Sequence, residues 1–289
     1  MACTLALTKA ELTRLMHNKR YFIFTVGFPV VLYLLVGRQV SAQAYGIAFG
    51  AYYMIAMATF GAFSGALNGN AQRISQEKKD GWIRQLRLTP LPPGAYVVSK
   101  ILVSMATTIP SILIVFLLGR FYGNVHLHAW QWPAIAVTVW FGATIFAALA
   151  VAIGYRYQPD QVQPISIVVY FFFAILGGLW FPMTGFLQKV GELTPTYDAV
   201  KIGSDVIGNA AVSIGLALGL VVWLGIFVAL ATVSVRATAE TVLAPMRRQT
   251  RPAHRGPGRD TGRHGAYRHW YAPVASAGKR GSMDVQAGR

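Results

Sequence analysis

Residues 133–154 read PAIAVTVWFGATIFAALAVAIG, a run without Asp, Glu, Lys, Arg or His. At about 1.5 Å per residue, a helix of this length matches the roughly 30 Å hydrocarbon core of a bilayer. Working outward, five further runs at 21–37, 44–67, 101–119, 164–181 and 212–235 are equally free of those residues. Only 12% of the 289 residues are charged, against about 25% in a soluble domain, and the charges crowd between the runs. The expected fold is therefore an all-α integral membrane protein with six transmembrane helices. Small residues at 41–44 would suit a signal-peptidase site, but the run at 21–37 is long for a signal h-region and reads as a span.

Lys and Arg give the orientation. The segments 1–20, 68–100 and 155–163 carry 11 of them, and 236–289 carries another 11; the alternate segments hold only Arg38, Arg120, Lys189 and Lys201. The positive-inside rule places both termini in the cytoplasm. The formal net charge is +16. The segment 236–289, with 11 Lys+Arg against 3 Asp+Glu, supplies half of it, so the basic balance is a tail plus short loops and not a basic domain.

Three parts are expected. Residues 1–20 form a cytoplasmic amphipathic helix on the inner membrane surface: Leu5, Leu12, Leu15 and Met16 share a face, and Thr8 with Glu11 makes a capping box. Residues 21–237 form the six-helix membrane domain. Residues 238–289, rich in Arg, Gly, Pro and His, read as a disordered basic tail that tethers to anionic lipid and carries no specific nucleic-acid site. Within the second run, Gly46, Gly50, Gly61 and Gly65 among several Ala and Ser64 predict close helix packing. The connecting segments 68–100 and 182–211 are too long to be simple turns. Cys3 is the sole cysteine, so no internal disulfide forms.

The chain offers little to an enzyme. It has no GxxxxGK[ST] phosphate loop, no HExxH and no nucleophile elbow. His126 and His128 sit in a short loop with too few neighbouring ligands for a metal. Without carboxylates or histidines inside the runs, ion coupling lacks a proton or sodium relay. Uphill transport would take its energy from another subunit.

The inner segment suggests where such a subunit docks. From Arg73 to Pro92 it reads RISQEKKDGWIRQLRLTPLP, with Ile74, Lys78, Trp82 and Leu86 spaced by four before Pro90 and Pro92 end the helix. This pattern suits a partner-facing helix, and equally a basic loop resting on anionic lipid.

Residues 77–91, in the order E-x-x-x-G-x-x-x-x-L-R-x-T-P-L, resemble the cytoplasmic loop of type-2 ABC exporter permeases, the family of bacterial drug-resistance and polysaccharide-export permeases. Gly177-Gly178-Leu179-Trp180-Phe181-Pro182, followed by Thr194-Pro195, resembles that family's G-G-x-x-x-P turn and later proline. The resemblance covers about residues 5–237. It implies a transport subunit with no ATPase site of its own, binding no cofactor, with ATP and Mg on a separate ATPase subunit. It further implies a second permease chain, identical or sister, in the plasma membrane. Glu77 to Arg87, Lys78 included, would be the coupling helix: Gly81 permits the turn, Trp82 and Leu86 pack, and Arg84 and Arg87 meet acidic groups. The segment after the Trp-Phe-Pro turn is shorter here than the family often has, which implies a reduced outer gate.

The aromatic concentration at 170–173 and 180–181 marks a candidate substrate path or gate, comprising Phe172, Phe173, Gly177, Gly178, Trp180, Phe181 and Pro182. It suits a hydrophobic or amphipathic cargo such as a drug, a lipid or a lipid-linked glycan. Pro110 beside Thr107 and Thr108, and the Gly177-Gly178 pair, are candidate hinges. The expected function is export driven by the docked ATPase; an ATP-independent channel or carrier is the alternative.

Overall fold

The computed structural model describes residues 23–37, 43–81 and 93–249. Except for the end of the last helix, they belong to the unit Met1–Met246. The expected helix at 1–20, Trp82, Arg84, Leu86 and Arg87 of the inner segment, and the tail from 250 onward lie outside the described residues.

Among the described residues the chain is helical almost throughout. A π-helical turn, Ile23–Gly27, leads into α1 (Phe28–Val36). A hairpin of β1 (Gln43–Ala44) and β2 (Ile47–Ala48) precedes α2 (Phe49–Ser64), a second π turn (Gly65–Gly69) and α3 (Asn70–Lys79). Then come α4 (Pro93–Phe121), α5 (Gln131–Arg156), α6 (Pro159–Leu176), α7 (Gly185–Gly191), α8 (Pro195–Ile207) and α9 (Ile214–Gln249). Among the described residues four helices are long and apolar enough to cross a membrane: Lys100–Phe121 of α4, α5, α6, and Ile214–Thr238 of α9.

The first two runs fold differently from the expectation of simple spans. The run at 21–37 gives a shorter apolar helix, Thr25–Val36. In the run at 44–67 the first residues enter the hairpin, because Tyr45 and Gly46 both take positive φ (51° and 80°) and close the type I′ turn that a two-residue hairpin favours. The helix that follows does not stop at the end of its apolar stretch. The backbone at Ser64, Gly65, Gly69 and Asn70 is right-handed helical, so α2, the π turn and α3 form one rod from 49 to 79.

That rod is the spine of the molecule. All but two residues of α2 are buried, as an all-round apolar helix must be. Lipid tails are as apolar as these side chains, so association rests on close packing and hydrogen bonds. Gly61 lies against Ser111 and the Thr25 backbone, and Gly119 of α4 against Met54. The Tyr170 hydroxyl donates to Phe60 O at 2.8 Å, and Trp140 Nε1 to Met105 O at 2.8 Å. Around Pro110, whose ring removes one helical bond, Thr107 and Thr108 donate to the carbonyls of Ser104 and Met105.

Two boundaries correct the sequence expectations. The helix expected from 164 begins at Pro159, where Gln158 and Gln161 make a reciprocal capping box, and Pro164 sits inside it. At its other end Gly177 and Gly178 terminate α6 rather than bend it. Gly178 adopts φ 72°, and Leu179 N donates back to Ala174 O at 2.9 Å, the Schellman pattern in which glycine takes the left-handed position.

The outer segment 182–211, expected to be more than a simple connector, folds into α7 and α8, and eleven residues of α8 are buried where it wedges against α2, α5 and α6. Thr194 Oγ1 caps it by accepting from Tyr197 N, with Pro195 following at the first helical position. Gly203 admits Ile55 and Ile135, and Gln131 Nε2 donates to Val206 O and Ile207 O at its far end.

Candidate functional site

Two places, at opposite ends of the 49–79 rod, hold the described residues that the sequence singles out. At the α3 end, the helix expected over 77–87 does not run through Gly81. It closes at Lys79, Asp80 N donates to Gln76 O, and Gly81 turns the chain at φ 75°. Glu77 and Lys78 therefore form the last turn of the rod rather than the start of a separate helix.

Their partners are within the chain. Glu77 Oε1 accepts from Lys100 Nζ at 2.6 Å, and Lys100, in the eighth position of α4, is fully buried. Lys78 Nζ donates to Tyr155 O at 2.6 Å and Tyr157 O at 3.0 Å, at the end of α5. Burial pushes the Lys78 ammonium below its usual pKa, and the nearby Arg156 guanidinium adds to the shift. Ser75 Oγ donates to the same Tyr157 carbonyl at 2.9 Å. Ile74, read from its spacing as part of the docking face, is instead buried against Val151 and Tyr155. Gly154 makes this possible: a Cβ there would stand 2.8 Å from Ile74 Cβ and 2.9 Å from Ala71 O. The end of the rod is thus clamped to α4 and α5.

At the other end, the turn after α6 is held by tyrosines from the hairpin and the start of α2. The Tyr52 hydroxyl donates to Gly178 O, and Met183 N donates to the Tyr45 hydroxyl at 3.3 Å. Gly177 lies directly against Thr196 of α8. The turn, the rod and α8 therefore share one contact region.

The aromatic candidates split into two groups. Trp180 joins Phe28, Phe60 and Phe171, with ring centroids 5.8–6.2 Å away. Its Nε1 is buried without a hydrogen-bond partner among the described residues. Phe173 belongs elsewhere, packed on Phe146, Trp223 and Phe227. Phe172 and Phe181 are exposed at 57% and 69%. The path drawn from sequence is therefore not one surface. Lys100, Tyr45, Tyr52 and Asp198 are the residues that sequence reasoning passed over. Lys100 carried a usable signal, since it is the one charge at the mouth of the third run.

This arrangement defines a polytopic helical membrane protein in which a long rod ties a polar loop at one end to a glycine-proline turn at the other. Residues 38–234 match the family model of the ABC-2 family transporter proteins, and the chain belongs to that family. It is also 29% identical over 195 residues to YvfS of Bacillus subtilis (strain 168), a protein named as a transport permease; the match covers 65% of this chain and 78% of the relative. Membership makes the chain the transmembrane component of an ABC transporter, a transport subunit in a membrane, and implies an ATPase partner.

Proposed function

We propose that this chain is the permease subunit of an ABC exporter, with six spans, both termini in the cytoplasm and a plasma-membrane location. It pairs with a second permease chain and with two ATPase subunits that carry the ATP and Mg. The cargo is hydrophobic or amphipathic, and the ATPase docks on the loop that follows Gly81.

The 49–79 rod carries this reading. At ~1.5 Å per residue it extends roughly 45 Å, enough to link the cytoplasmic loop with the turn at 177–182 as one body. Glu77 and Lys78 act in this scheme as clamps that transmit motion, and Trp82, Arg84, Leu86 and Arg87 as the groups that meet the ATPase. ATP can drive the spans only if the closed and open ATPase dimers hold this loop differently. The rod then shifts against α4 and α5, and Tyr52 pulls on Gly178. Phe28, Phe60, Phe171 and Trp180 offer an apolar wall beside that turn.

The test is gentle solubilisation of the tagged chain from its native membranes. An ATP-hydrolysing subunit should accompany the wild type and be lost from an Arg84→Ala/Arg87→Ala variant that remains folded. A folded wild type that brings no ATPase would remove the reading.

A further inference from the structure

Between α8 and the first turns of α9 lies a cavity of about 680 Å³. Its walls are apolar and aromatic at Leu193, Leu216, Val222 and Trp223, and acidic at Glu192, Asp198 and Asp205. Lys201 also lines it, but its ammonium is paired with Asp205 one turn on. Glu192 accepts from Gln188 Nε2 at 3.3 Å.

Asp198 differs from the other acids. It is only 4% exposed, and among the described residues its carboxylate takes part in no hydrogen bond or ion pair. It borders the cavity on one side and Gly219 of α9 on the other, where an added Cβ would collide with its Oδ2. An isolated buried carboxylate is costly to ionise. Burial accordingly raises the Asp198 carboxyl to about 7. The titratable groups around it are Glu192, Tyr197, Lys201 and Asp205; α9 contributes Gly215, Gly219 and Trp223, which carry no charge.

A neutral scaffold would gain by placing Asn or Leu at 198. A carboxylate kept buried, unpartnered and facing an apolar-aromatic cavity is suited to a cation that arrives with its own apolar body. Such a ligand supplies the missing charge partner and covers the apolar walls, and Trp223 offers a ring to a cation.

We propose that this open cavity is a binding subsite for a lipophilic cation, with the Asp198 carboxylate facing the charge and Leu193, Leu216, Val222 and Trp223 lining the side that takes the apolar part. This rests on the exporter reading for its purpose, since it gives the cargo a chemical class: amphipathic molecules bearing an ammonium or similar group.

Tetraphenylphosphonium is the suitable probe, because its charge does not change with pH and any pH dependence belongs to the protein. Its binding is measured to the full chain in phosphatidylglycerol nanodiscs, with empty discs subtracted. Affinity should rise about tenfold from pH 6 to pH 8 as Asp198 ionises. Asp198→Asn should lose about tenfold at pH 8 and flatten the pH profile, and Glu192→Gln should weaken binding less and keep the profile. Tetraphenylborate, similar in size and opposite in charge, should not distinguish wild type from Asp198→Asn in favour of the wild type. Repeating the comparison with phosphatidylethanolamine in the discs separates two sources of the cation. A wild-type advantage that shrinks identifies a lipid ammonium as occupant, and one that persists a free amphiphile; both uphold the acidic subsite. Wild type and Asp198→Asn within twofold of each other at pH 8, both monodisperse, would overturn it. The ATPase would still accompany the chain in that case, so the failure would not be that of the permease reading.

Discussion

Replacing Glu77 with glutamine keeps the shape of the clamp and removes its charge. Lys100 is fully buried and Glu77 12% exposed, so the pair is shielded enough for the loss to be felt. Removing one partner of a buried ion pair costs about 3–5 kcal/mol, and the partial exposure of Glu77 argues for the lower end. A loss of about 3 kcal/mol shifts the folding equilibrium by roughly a hundredfold. The assay is reversible unfolding in mixed micelles by titration with SDS, followed through the helical circular dichroism. Glu77→Gln should unfold at clearly lower SDS. Glu77→Gln with Lys100→Met, which replaces the pair by a neutral one of similar volume, should recover most of the loss. If the single variant unfolds with the wild type, or the double variant unfolds earlier still, the pair is not the clamp described here. ATPase association gives a second readout: the double variant should keep it, because Glu77 acts inside the chain.

Tyr52→Phe removes the hydroxyl that donates to Gly178 O and should cost about 1–3 kcal/mol; amide exchange at 177–182 should quicken while that of α5 stays unchanged. Gly154→Ala places a methyl against Ile74 and the Ala71 carbonyl and should lower stability by about 1–3 kcal/mol, read as an earlier SDS midpoint. Asp198 gives a pH slope. A carboxyl whose native pKa is raised to about 7, above an unfolded value near 3.9, loses stability as pH rises from about 4 to about 7 and no further beyond. Asp198→Asn should therefore be flatter between pH 4 and pH 8 than the wild type and more stable at pH 8; an equal slope in both would contradict the burial of this group.

The long apolar helices were legible because a bilayer demands them: residues 133–154 admit no other reading than α5. The start of the second run was not, since Tyr45 and Gly46 enter a turn by backbone conformation while remaining apolar in composition. The rod was hidden for the opposite reason. The polar stretch from Ile74 onward reads as a short helix of its own, yet nothing between Ser64 and Asn70 breaks the preceding helix, and Ile74 packs inward where Gly154 leaves room. The hardest element was α8. The segment 182–211 reads only as too long for a simple turn, although Thr194-Pro195 marks the start of a helix within it. Its burial depends on partners distant in sequence, Ile55, Ile135 and Gln131, which no local pattern announces. Of the candidate site, the resemblance at 77–91 and 177–182 located both ends of the rod. What it could not supply was that Glu77 and Lys78 turn toward their own chain.

On the proposed reading, an ATPase drives the rod through the loop after Gly81. A photoreactive phenylalanine analogue placed at Trp82, irradiated in native membranes, tests it most directly. An adduct should form with an ATP-binding subunit, its yield changing when ATP is trapped in that subunit, and none should form when the analogue replaces Phe121 at the other end of α4. An analogue at Trp82 that labels only lipid, in membranes where the ATPase is present, would contradict it.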